Sequence, residues 1–74
     1  MKRYRNLSGE SGVVAYEVGT DSIAIEFVDG RTYLYTAASA GADNIARMQQ
    51  LAQAGRGLST FISRVVKDHY ARRF

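Results

Sequence analysis

Apolar and polar positions alternate through three short runs in the first half of the chain and then change period. Val13 to Val18 is β-branched and aromatic, and Ile23-Ala24-Ile25-Glu26-Phe27 alternates large apolar with small or charged residues. Arg31-Thr32-Tyr33-Leu34-Tyr35-Thr36 is again β-branched and aromatic. Gly19-Thr20-Asp21-Ser22 and Asp29-Gly30 supply turn chemistry between these runs, so the pattern predicts a three-stranded antiparallel meander. From Ala37 the period becomes helical. Ile45, Met48, Leu51 and Ala52 recur between Ser39, a candidate N-cap, and Gly55, a natural C′ residue, which predicts a helix of about 12 to 15 residues. After Gly55-Arg56-Gly57, the residues Leu58, Phe61, Ile62, Val65, Val66, His69 and Tyr70 mark one face of a second helix. Its opposite face carries Arg64, Lys67, Asp68 and Arg72, with Arg64 to Asp68 and Asp68 to Arg72 at ion-pair spacing. The expected fold is α+β: a three-stranded antiparallel meander followed by two C-terminal helices packed on one face of the sheet.

The second hairpin admits two registers. A two-residue turn at Asp29-Gly30 pairs Val28 with Arg31 and puts Tyr33 and Tyr35 on the face opposite Ile23, Ile25 and Phe27. A three-residue loop with Gly30 left-handed in a bulge pairs Phe27 with Arg31 and Ile25 with Tyr33, gathering all five on one face. The second is preferred, since a small domain cannot readily leave that aromatic area in water. Residues 1–12, MKRYRNLSGESG, show no period and read as a flexible basic leader whose first five residues are dispensable for folding. Residues 13–74 then form a single domain.

Composition narrows the chemistry. At 74 residues, 46% hydrophobic and 23% charged, the chain has room for one core. A domain of this size buries only about 60% of its unfolded surface, so few apolar residues are spare to line a deep pocket. The absence of cysteine excludes disulfides, thiolate nucleophiles and cysteine-ligated metals, and the single His69 excludes histidine clusters. No catalytic residue, metal or cofactor is expected. No apolar run approaches the ~20 residues of a membrane span, and the basic Met1-Lys2-Arg3-Tyr4-Arg5 is not followed by a signal-peptide core, so a cytoplasmic protein without a membrane partner is expected.

Charge adds an asymmetry that the net +3 conceals. Lys2, Arg3 and Arg5 make the first five residues +3. From Asn6 to Gly55, Arg31 and Arg47 stand against six acids, Glu10, Glu17, Asp21, Glu26, Asp29 and Asp43. From Arg56 onward, Arg56, Arg64, Lys67, Arg72 and Arg73 face Asp68 alone. Basic ends around an acidic middle fit a polyanion-binding surface, and equally a solvated helix with cations near its C-terminus.

The order of features resembles a known family. A strand ending near Tyr16, an alternating apolar strand, a turn ending in Gly30, then Tyr33-Leu34-Tyr35, a helix, a glycine-containing break, and Phe61-Ile62 followed by Val66-Lys67 and Tyr70 are similar to the KTSC family. That short domain is named for its place at the C-terminus of some lysyl-tRNA synthetases, and it also occurs alone. The resemblance spans roughly residues 13–70, with Tyr33-x-Tyr35 as its most recognisable element. Thr36-Ala37-Ala38 lacks the proline common after the second tyrosine, and Ser63 stands where asparagine is common. The resemblance implies Gly30, Tyr33, Tyr35 and Tyr70 as structural motif residues in an uncharacterised domain for which RNA binding is the suggested role.

Each candidate site has a plain structural counterpart. Tyr33 and Tyr35 suit a stacking platform for unpaired bases, but the preferred register makes them core. Arg56, Arg64, Lys67, Arg72 and Arg73 read as a phosphate-binding strip or as an ordinary solvated face. Gly55-Arg56-Gly57 lacks the lysine and spacing of a phosphate loop and reads as a helix break. His69 is expected to pack at the helix seam, and Glu17 and Glu26 to face solvent, with no partner constellation for acid-base work. The leading expectation is a non-enzymatic, low-specificity RNA or single-strand module acting through phosphate contacts. The alternative is a protein-interaction or self-associating module using Val28, Leu34 and open strand edges, with a protein partner or a second copy of the chain.

Overall fold

The computed structural model describes residues 1–7, 9 and 11–74. Its centre is the expected meander: β2 (Val13–Val18), β3 (Ser22–Phe27) and β4 (Thr32–Thr36), all antiparallel. Two outer strands extend it, β1 (Lys2–Arg3) beside β2 and β5 (Arg72–Arg73) beside β4, giving the order β1-β2-β3-β4-β5. The α+β class holds, with five strands rather than three.

The hairpin adopts the bulged register. Ile25 pairs with Tyr33 and Ile23 with Tyr35. The Phe27 amide donates to the Arg31 carbonyl at 2.9 Å and the Gly30 amide to the Phe27 carbonyl at 2.9 Å, with Gly30 at φ 89°. That angle is open to glycine and strained for other residues. A second irregularity lies between Val13 and Ala15, where the register shifts. Val13 opposite Phe27 and Tyr16 opposite Ile25 therefore both reach the core although three positions separate them.

The helices cover the face carrying Tyr16, Ile23, Ile25 and Tyr35. Thr36 and Ser39 form a reciprocal capping box around a single helical turn, α1 (Ala37–Ala40), so Ser39 is its third residue and not the N-cap of a long helix. Gly41 separates α1 from α2 (Ala42–Ala54), which contributes Ile45, Met48 and Ala52 to the core. Gly55 closes α2 in the left-handed conformation, as the composition predicts. After Gly57, α3 (Leu58–Phe61) passes into a π-helical turn (Ile62–Val66) that buries Ile62 and Val66 beside Leu58.

Two expectations are corrected. The helix predicted to run through Tyr70 stops at Val66: the Lys67 amide bonds back to the Ile62 carbonyl at 2.6 Å, with Lys67 at positive φ. The chain then reverses, and Ala71 and Phe74 amides donate to the Leu34 and Thr32 carbonyls on β4. The π turn slips the helical phase, leaving Val65 44% exposed and His69 in solvent. The leader is the other correction. Lys2 and Arg3 pair with Tyr16 and Ala15, and Tyr4 is a core residue, 3% exposed. The Arg5 guanidinium donates to the Gln53 carbonyl at 2.6 Å and the Leu7 amide to the Gly55 carbonyl at 2.7 Å, so the segment closes the C-terminus of α2 where cations are favoured. Ser8 and Glu10, also assigned to the leader, lie outside the described residues.

Candidate nucleic-acid interface

Tyr33, Tyr35 and Tyr70 lie together against the sheet. Tyr35 is 1% exposed beneath the helices, and burial, followed by Tyr33, Tyr70 and Asp68, pushes its hydroxyl up to about 12. Tyr33 is half-buried between Phe27 at 5.3 Å and Tyr70 at 4.7 Å, ring centre to ring centre. Tyr70 also meets Tyr35 edge-on at 6.2 Å. Tyr70 thus reaches this cluster from the returning tail and not from a helix face, and it anchors β5 against the sheet. Tyr35 has no ring face open to a base, Tyr33 and Tyr70 are partly buried against each other, and Gly30 serves the turn.

The five candidate cations are brought to three places, and the helix face expected to carry Arg64, Lys67 and Arg72 together is divided. Arg56 sits in the Gly55 to Gly57 connection, Arg64 on the π turn with Lys67 at its end, and Arg72 and Arg73 on β5. All five are exposed. Among the described residues none of them joins an ion pair: the pairs present are the Met1 ammonium with Glu17 at 4.0 Å and Arg31 with Asp29 at 3.8 Å. The Asp68 pairings expected for Arg64 and Arg72 are missing because the helix ends before Asp68. On β5, Arg73 lies opposite Tyr33 and Arg72 opposite Leu34, so the two project to opposite faces, and Arg72 stands 5.5 Å from the centre of the exposed Phe74 ring.

The sheet edges differ from the open edges expected for a self-associating module. Both outer strands are two residues long and consist only of Lys and Arg, a device that discourages edge-to-edge pairing. Sequence reading missed these strands because two residues show no period. It also passed over Arg47, an exposed α2 residue assigned to the acidic middle, which lines one groove with Arg64. The signal available was its position one turn before Leu51.

His69 and Glu17 are exposed and Glu26 is partly exposed. Among the described residues no group of three or more histidine, aspartate or glutamate side chains is placed to hold a metal. No helix there is long and apolar enough to cross a membrane. No family model, curated protein or solved structure matches the chain.

Proposed function

We propose that this chain is a non-enzymatic module that binds single-stranded RNA with low sequence specificity through phosphate contacts; the resemblance to the KTSC family adds only that RNA binding is the role suggested for it. One observation carries the reading: Arg56, Arg64, Lys67, Arg72 and Arg73 are exposed and free of ion pairs among the described residues, so their charge is available to a polyanion. The Lys2–Arg3 edge adds cations of the same sign, and the sequence gives the last nineteen positions a single acid, Asp68. The cytoplasm, where RNA is plentiful, suits a cysteine-free chain.

Because the cations are spread over three places, one strand engages part of them at a time. About 3 to 4 phosphate contacts give a log-log salt slope on the order of −2 to −3 and micromolar or weaker affinity at physiological salt. Fluorescence anisotropy with a labelled single-stranded RNA across a salt series measures both. Arg64→Glu with Lys67→Glu lowers binding for every sequence and flattens the slope. A protein that binds no RNA at low salt, or binds equally after both reversals, sinks the proposal in favour of a protein-interaction module.

A further inference from the structure

The groove between α2 and α3 joins features that the phosphate strip alone does not use. Arg47 and Leu51 line it from α2, and Gly57, Thr60, Phe61, Arg64 and Val65 line it from the other side, around a volume of about 420 Å³. Its floor is apolar, and no carboxylate is among its lining residues. Arg47 on α2 and Arg64 on the π turn are the charged residues among its lining, and both are exposed. The Arg47 guanidinium donates to Gln50 Oε1 at 3.3 Å, and among the described residues neither arginine joins an ion pair, so both charges are available to an anion.

We infer that this groove holds one unpaired nucleotide of the bound strand: the base against Phe61, Leu51 and Val65, and its phosphate between Arg47 and Arg64. The inference rests on the RNA-binding reading and adds to it a base-contacting site. Phe61 offers a ring to any base, which keeps the site tolerant of sequence, and the exposed Thr60 hydroxyl can donate to or accept from a base edge. An acidic amphipathic peptide has related chemistry, but the exposed cations Arg56 and Lys67, near the lining residues Gly57 and Val65 in sequence, favour a continuous polyanion.

The test compares octauridylate with an abasic ribose-phosphate oligomer of the same length and charge. The wild-type protein binds octauridylate more tightly by about fivefold or more, the effect of stacking one base. Thr60→Leu fills the groove from an exposed position without adding a ring, and it brings octauridylate down to the abasic level without weakening the abasic oligomer. Arg47→Glu weakens both. In amide NMR spectra of the unlabelled-RNA complex, Leu51, Gly57, Thr60 and Val65 shift with octauridylate and not with the abasic oligomer, which also reports on variants that fold poorly. Equal binding of the two oligomers overturns the groove site and leaves the phosphate reading standing. Binding of neither overturns both.

Discussion

The hydroxyl of Tyr4 accepts the backbone hydrogen of Leu58 at 3.3 Å, across 54 positions of sequence. Leu58 begins α3, so its amide is one of the donors that a helix N-terminus leaves without an internal partner, and it is buried. A residue from the first strand's extension thereby completes the last helix. Tyr4→Phe keeps the ring and orphans that donor, at about 1 to 3 kcal/mol, while Tyr4→Ala adds a cavity and loses about 3 to 5 kcal/mol. Urea denaturation followed by circular dichroism checks both, and a Phe variant as stable as wild type shows that Leu58 finds another partner.

The same contacts reverse the expectation that the first five residues are dispensable. Removing Met1 to Arg5 takes away Tyr4, the Lys2–Arg3 pairing and the Arg5 contact at the end of α2. Loss of the tyrosine alone is comparable to the whole stability of many domains this small. The truncated chain is expected to show no cooperative thermal transition above room temperature, read by far-ultraviolet circular dichroism. A sharp transition near that of the intact protein refutes the structural role assigned to the segment.

Gly30 and Gly55 have positive φ for separable reasons, and substitution distinguishes them. A Cβ at Gly30 meets nothing within 4 Å, so Gly30→Ala is limited to backbone strain of about 1 kcal/mol, with Gly30→Val worse and Gly30→Asn milder. At Gly55 a Cβ falls 2.9 Å from the Arg5 Cβ, so strain and collision combine and the docked N-terminal segment must shift. Thermal melts are expected to rank Gly55→Ala as more damaging than Gly30→Ala.

The alternation of Ile23, Ile25, Phe27, Tyr33 and Tyr35 made the central hairpin and its register legible, because only one register buries all five together. Gly55 was legible for a similar reason, since a glycine after a periodic apolar stretch has few other uses. The outer strands were not. Lys2–Arg3 and Arg72–Arg73 are set by partners on β2 and β4 and have no local signature, and the charges around Tyr4 masked a buried ring. The C-terminal periodicity misled beyond Val66, because the π turn and the bonds from the tail to Leu34 and Thr32 outweigh helix continuation. For the candidate interface, the sequence pattern put Arg64, Lys67 and Arg72 on one helix face, whereas the tail carries Arg72 to β5; Arg47 required the packing of α2 beside α3.

The Tyr35 hydroxyl ties stability to alkaline pH. Its folded value, about 12, lies above the ordinary value of 10, so the native state holds the proton more tightly than the unfolded chain. The stabilisation is fully present below about pH 10 and is lost as the pH rises toward 12. Denaturation midpoints at pH 8, 10 and 11 are expected to fall for wild type and to fall less for Tyr35→Phe, which has no proton to release. Parallel declines in the two proteins assign the pH effect to other groups.

Charge on β5 has a second consequence that is independent of RNA. As an edge strand it has no further strand on its outer side, and cations such as Arg72 and Arg73 are the kind of side chain that discourages another chain from adding at an edge. Arg72→Thr with Arg73→Val retains β-propensity while removing both charges, so it converts a guarded edge into an apolar one. The expected outcome is concentration-dependent self-association, seen as a larger species in sedimentation velocity, with circular dichroism still showing the folded sheet. Arg72→Lys with Arg73→Lys is expected to behave as wild type, because the charge is kept. Should the uncharged variant sediment as wild type does over the same concentrations, the guard lies in the shortness of the strand and not in its cations.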